Sequence, residues 1–171
     1  MTRTYQILLA VLAMIGLAVA PASASTTVVL NGSFDRTVLK PEFTGSTCAP
    51  DVNGDECGVL QFTGLGAADY IYVYGPTFEP NGTRGCFTID GTFTIRLESD
   101  GSTISGPLSG VFCSLSGRRT PQAYGNPFTE EDSINFGNGT GRFAALRGTA
   151  IFQQSAAGAR NRGTLVGTLS D

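Results

Sequence analysis

The run Thr92 to Glu98 alternates without a break. Phe93, Ile95 and Leu97 fall on one face, and Thr92, Thr94, Arg96 and Glu98 fall on the other. A period of two is the side-chain geometry of a half-buried strand, and it excludes a helix over these residues. Asp100-Gly101 follows directly, a pair suited to a tight hairpin turn. The same habit recurs along the chain. Asp69 to Tyr74 alternates three tyrosines with Ile71 and Val73. Val28 to Phe34, Val59 to Thr63, Cys86 to Ile89, Thr103 to Ser105, Val111 to Leu115, Ser133 to Phe136, Gly148 to Gln153 and Gly163 to Leu169 are shorter β-rich runs. The chain's 23 glycines punctuate them. Residues 41–57 and 118–132 read as irregular. Many short strands and almost no helical periodicity predict an all-β fold. The expected form is an antiparallel barrel of eight strands, up to ten, with a β-sandwich as the alternative.

The first 24 residues have a different character. Arg3 precedes an uncharged apolar run from Ile7 to Ala20, and Ala22-Ser23-Ala24 supplies a small-x-small ending. This is the pattern of a cleavable secretory signal, and the run is short for a membrane span. Residues 25–171 are then expected to form one domain with a net charge of −4. The expected location is secreted, extracellular or periplasmic, with no integral membrane segment after cleavage. An outer-membrane barrel fits poorly, because the C-terminus is the polar pair Ser170-Asp171.

Composition removes several chemistries. There is no histidine, so neither a Ser-His-Asp nor a Cys-His site is available within the chain. One lysine, Lys40, and the isolated pair Arg118-Arg119 give no footprint for nucleic acid. The four cysteines form an even set in an exported chain, which reads as disulfides. Three pairings are open. The favoured one joins Cys48 to Cys57 and Cys86 to Cys113. No cofactor and no metal are expected. Asp51 to Glu56 spaces oxygen ligands as calcium loops do, but Gly54 is misplaced for one. The Gly-rich run at 137–141 lacks the ending of a phosphate loop.

Two constellations could carry function. Tyr70, Tyr72 and Tyr74 stand in one row of a strand. They either shelter a sheet face, which is favoured, or form a stacking platform lining a cavity mouth. Arg96 and Glu98 share the polar face of their strand. They are either a solvent-facing pair, again favoured, or a confined ion pair able to act in acid–base chemistry.

The stretch from Phe136 to Ala150 is the most distinctive. Gly137-Asn138-Gly139-Thr140-Gly141-Arg142-Phe143, followed by Gly148-Thr149-Ala150, resembles the glycine-rich signature of the allene oxide cyclase and dirigent barrel group. Asn138 and Ala144 depart from its glycines. The resemblance implies an eight-stranded barrel with a central cavity, with Phe143 plugging one end and Gly148 opening the next strand. It implies no catalytic residues here, because the group's cavity positions lie outside this signature.

The leading expectation is a non-catalytic exported protein that holds a small apolar or aromatic ligand in the barrel lumen, with Tyr70, Tyr72, Tyr74, Arg96 and Glu98 as the residues to test. An isomerase or cyclase of the same group is the second. It would use Glu98 or Tyr72 and needs Arg96 and Glu98 inside the lumen. A cell-envelope or surface interaction protein is the third.

Overall fold

The computed structural model describes residues 25–37, 56–75, 79–115, 127–157 and 160–171, with 36 and 37 in backbone only. Ten strands carry nearly all of them. They are β1 (Thr27–Thr37), β2 (Glu56–Phe62), β3 (Gly66–Tyr74), β4 (Glu79–Pro80), β5 (Cys86–Leu97), β6 (Thr103–Ser114), β7 (Phe128–Phe136), β8 (Asn138–Gly139), β9 (Arg147–Ala157) and β10 (Arg160–Ser170). Every pairing is antiparallel.

Setting aside the two-residue strands β4 and β8, each long strand pairs with the next one in sequence. β10 then returns to β1 over eleven residue pairs, from Thr27–Ser170 to Thr37–Arg160. The sheet therefore closes as an eight-stranded up-and-down barrel, and the sandwich alternative is excluded. Closure pairs both edges that an open sheet would leave exposed.

The alternation that defines the strands sorts the two surfaces. Phe93, Ile95 and Leu97 face the interior and are wholly buried, as are Leu30, Leu60, Phe152 and Leu165 on other strands. Outward positions such as Asn31, Ser33, Thr164 and Arg162 are polar and exposed. Apolar inside and polar outside is the reverse of the order a lipid-facing barrel needs.

Rings meet across the barrel axis. Phe93 on β5 lies 5.0 Å from Phe152 on β9, between ring centroids. Tyr70 on β3 lies 5.7 Å from each of them. An eight-stranded barrel is just wide enough for side chains to fill, and these rings fill its middle.

The two ends differ. At one end the turns are short, and Asp100-Gly101 forms the expected hairpin, with Gly101 N–H donating to Leu97 O at 2.9 Å. The segment after β8 is a short 3-10 turn, Gly141–Phe143. Phe143 and Leu146 there are buried in the core, at 0% and 3% exposure. Gly141 takes φ +56°, and a Cβ at that position would sit 2.3 Å from Ser102 Oγ. That is a physical reason for a glycine in the signature stretch. The other end, which we call the mouth, gathers the ends of β1, β3, β6 and β9 and the starts of β2, β5, β7 and β10.

Three expectations need correction. Cys86–Ile89 and Thr92–Leu97 form one strand, because Gly91 does not turn the chain, and Glu98 begins the turn that follows. Gly91 allows close approach instead, since a Cβ there would lie 2.2 Å from Val73 O. Thr103–Ser105 and Val111–Leu115 likewise join through Pro107 into β6. Residues 128–132, read as irregular, are the first half of β7, and Glu56 and Cys57 open β2.

Cys86 and Cys113 are register partners on β5 and β6 and form a disulfide, as expected. Cys57 is buried, whereas Cys48 lies outside the described residues, as does the leader 1–24. The 86–113 bridge spans 27 residues of chain, so the loop-entropy model gives it about 3.5 kcal/mol. Replacing both cysteines by serine should lower the unfolding free energy by that amount and with it the urea midpoint, while the slope of the transition rises as the unfolded chain expands. An unchanged midpoint would show that the bridge does not constrain the unfolded chain.

Candidate functional site

Polar side chains collect inside the barrel at the mouth. β7 carries Glu130 and Asp132 on the same inward face as Ile134 and Phe136. They are buried to 3% and 0% exposure. β3 brings Tyr70, Tyr72 and Tyr74, and β2 brings Glu56. β9 brings Gln154 and β10 brings Asn161. The period of two places them there, because each lies in the inward row of its own strand.

Most of these groups are tied together. Gln154 Nε2 donates to Glu130 Oε2 at 2.7 Å and to Glu56 Oε2 at 3.0 Å. Asn161 Nδ2 donates to Gln154 Oε1 at 3.1 Å. Tyr70 Oη donates to Glu56 Oε1 at 2.7 Å, and Tyr74 Oη to Glu130 Oε2 at a long 3.3 Å. Gln154 therefore spans two carboxylates with one amide nitrogen. Arg36, the register partner of Asn161, lies near the end of β1 at this mouth.

Four oxygens stand outside the network. Tyr72 Oη, both carboxylate oxygens of Asp132 and Asn161 Oδ1 are buried and have no hydrogen-bond partner among the described residues. Glu130 is close enough to raise the Tyr72 phenol electrostatically, yet no bond of proper geometry joins Tyr72 to either acid. Leaving a buried acceptor unsatisfied costs about 1–3 kcal/mol, and more when it is charged.

The cluster shifts its own acidities. Burial pushes the Asp132 carboxyl up to about 7. Burial, then the charge of Asp132, then that of Glu56 hold Glu130 well above the usual carboxylate range. Burial first and Glu130 second push the Tyr72 and Tyr74 phenols upward. Both β7 acids therefore keep their protons to higher pH than solvent carboxyls do. Among the described residues no group of three His, Cys, Asp or Glu is placed to hold a metal ion.

The barrel wall parts beside this cluster. β1 and β2 pair only at Gly32–Phe62 and Ser33–Gln61. From Phe34 on β1, and up to Leu60 on β2, the two strands share no register toward the mouth.

The structure separates the residues singled out from the sequence. Tyr70, Tyr72 and Tyr74 are inside the barrel, the Tyr70 ring in its middle with its hydroxyl bonded to Glu56, and Tyr72 and Tyr74 stacked at 4.1 Å. Arg96 and Glu98 are elsewhere. Phe93, Ile95 and Leu97 point inward, so their intervening neighbours point out. Arg96 pairs across the outer wall with Asp69, Nε donating to Oδ2 at 3.1 Å, and Glu98 is exposed. The confined Arg96–Glu98 pair is therefore not formed.

Glu56, Glu130, Asp132, Gln154 and Asn161 were missed by sequence reasoning. Phe136 and Ile134 carried the signal: continuing their alternation backward lands on Asp132 and Glu130.

The outer wall has its own relief. A groove of about 1070 Å3 is lined by outward side chains that include Gln61, Glu131, Gln153 and Thr164, and also by Glu130 and Gln154 of the buried cluster.

No protein-family model matches this chain, and no curated protein or solved structure shows significant similarity to it.

Proposed function

We propose that this protein is an exported barrel that binds a small aromatic or apolar ligand at its carboxyl-lined mouth, without transforming it. One observation carries the reading: Asp132 and Tyr72 are wholly buried beside stacked tyrosines, and their polar atoms have no partner. Buried polar groups are ordinarily satisfied, and an unsatisfied set is costly to the folded state. A ligand that seats against them would supply the missing bonds. The middle of the lumen is occupied by Phe93, Phe152 and Tyr70, so the reading places the ligand at the mouth and not at the barrel centre. The Cys86–Cys113 bridge is consistent with an oxidising compartment and supports export.

The test uses the chain without residues 1–24, titrated with Nile red and followed by native mass spectrometry with 2-phenylethanol. Saturable binding of either probe at one site is expected, weakened at least tenfold by Tyr72→Ala. If neither probe binds, or if Tyr72→Ala binds as the parent does, the site is wrong.

A second reading is an isomerase or cyclase, as the signature resemblance implies. Asp132 favours it, because a carboxyl poised at about 7 can both give and take a proton near neutrality. Glu98 has no part in it, being outside the barrel. On this reading Asp132→Asn would abolish turnover of a substrate that it still binds.

A further inference from the structure

We propose that the ligand of this mouth carries an ammonium group, seated on Asp132 and Glu130, with an aromatic or apolar body lying against the tyrosines. The inference rests on the small-ligand reading above and narrows its chemistry to small organic amines.

Asp132 Oδ1, Asp132 Oδ2, Tyr72 Oη and Asn161 Oδ1 are four buried oxygens without hydrogen-bond partners among the described residues. A primary ammonium offers three N–H donors and no acceptor. A neutral alcohol offers one donor, and an anion offers none. An ammonium therefore supplies more of the missing donors than either of the others.

Charge points the same way. Glu130 accepts from Gln154 and Tyr74, both neutral donors, and among the described residues no ion pair involves Glu130 or Asp132. Two neighbouring carboxyls, with no cationic partner among the described residues, are held near each other by one strand, two residues apart on one face. A bound cation would offset both the burial and the mutual repulsion. The surroundings suit one. Tyr72 and Tyr74 stack at 4.1 Å beside the acids, and aromatic faces attract organic cations. Inward residues on the neighbouring strands β5 and β6, Ile89 and Phe112, are apolar and buried. A metal ion is the poorer match, because no triad of acids among the described residues has the placement for one.

The geometry also assigns roles. Gln154 is a positioning residue, since its amide fixes Glu130 and Glu56 together. Asp132 is the group left to meet the ligand.

The test compares two molecules of one shape, 2-phenylethylamine and 2-phenylethanol, by calorimetry at pH 7.5 on the chain without residues 1–24. The amine is expected to bind at least tenfold more tightly than the alcohol. In Asp132→Asn the preference should fall to less than threefold while the alcohol still binds. Retained near-ultraviolet circular dichroism confirms that the variant is folded, and Glu130→Gln serves as a second variant with the same expected direction. Equal binding of both molecules by the parent chain would overturn the ammonium proposal and leave the small-ligand reading standing. A preference that survives both substitutions would place the amine elsewhere and also overturn it. Binding of neither molecule, nor of Nile red, would remove both readings.

Discussion

Asp132→Asn is expected to flatten the pH dependence of folding, removing a loss of about 4 kcal/mol between pH 4 and pH 8. The sign follows from where the proton sits. Asp132 has a carboxyl pushed up to about 7 in the folded chain, against 3.8 for the free group. Below 3.8 both states are protonated, and the group contributes no difference. Between 3.8 and 7 the unfolded chain releases its proton while the folded chain keeps it. Folding then takes up a proton, and stability falls by about 1.4 kcal/mol per pH unit. Above 7 both states are ionised, and this loss levels off. The raised carboxyl of Glu130 adds a fall of the same sign. On the acid side the order reverses. Asp35 and Asp100 are held below the usual range, Asp35 chiefly by its bond from Arg160 and Asp100 chiefly by backbone Ser102. Their contribution is lost as pH drops through those values. The parent chain should therefore be most stable near pH 4, below the usual optimum for a folded protein. Urea titrations at half-unit steps read this directly. Parallel profiles for parent and variant would show that Asp132 does not carry a raised acidity.

The barrel itself was legible because its inward rows are written in period two. Phe93, Ile95 and Leu97 against Arg96 and Glu98 announced both the strand and its two faces. The same alternation already placed Arg96 and Glu98 outside once the apolar row was taken as core. The closure of β10 onto β1 was not readable, since the pairing of two distant strands leaves no mark in either. Glycine misled where it was taken for a turn. Gly91 sits inside β5 for the sake of a neighbour's backbone and not for a change of direction.

The mouth was hidden for a different reason. Hydrophobic alternation identifies inward positions only while they are apolar. Along Phe128-Thr-Glu-Glu-Asp-Ser-Ile-Asn-Phe136 the inward residues are Phe128, Glu130, Asp132, Ile134 and Phe136. The two acids break the pattern where the interior changes from packing to chemistry. A cluster of Glu and Asp then looks like a solvated loop. Tyr70, Tyr72 and Tyr74 were visible because tyrosine is apolar enough to keep its row intact. Half of the site was thus apparent as a row of rings, and its acidic half was masked by the property that makes it a site.

Phe152→Ala should be among the most damaging single substitutions in the barrel wall, costing about 3–5 kcal/mol. Phe152 has no exposed surface and reaches from β9 across the axis. Its ring lies 5.0 Å from Phe93, 5.7 Å from Tyr70, 6.0 Å from Phe34 and 6.2 Å from Tyr72. Truncation removes apolar surface from burial and opens a cavity among four rings. The surrounding strands are fixed by register on both sides and cannot collapse into the gap. The flanking pairs Phe152–Leu165 and Phe152–Asp132 show that fixing. The second pair couples the two halves of the molecule, because Asp132 is the neighbour of Phe152 on β7. A void at Phe152 therefore loosens the wall that holds the carboxyl in place. Phe152→Leu, which keeps most of the volume, should cost less than about 1.5 kcal/mol. Ile151→Ala, one residue away on the exposed outer face, should fall within about 0.5 kcal/mol of the parent. Urea unfolding of the three variants separates these outcomes. A loss at Phe152→Ala no larger than at Ile151→Ala would show that the rings do not pack across the axis, and the ligand would then have the barrel centre open to it.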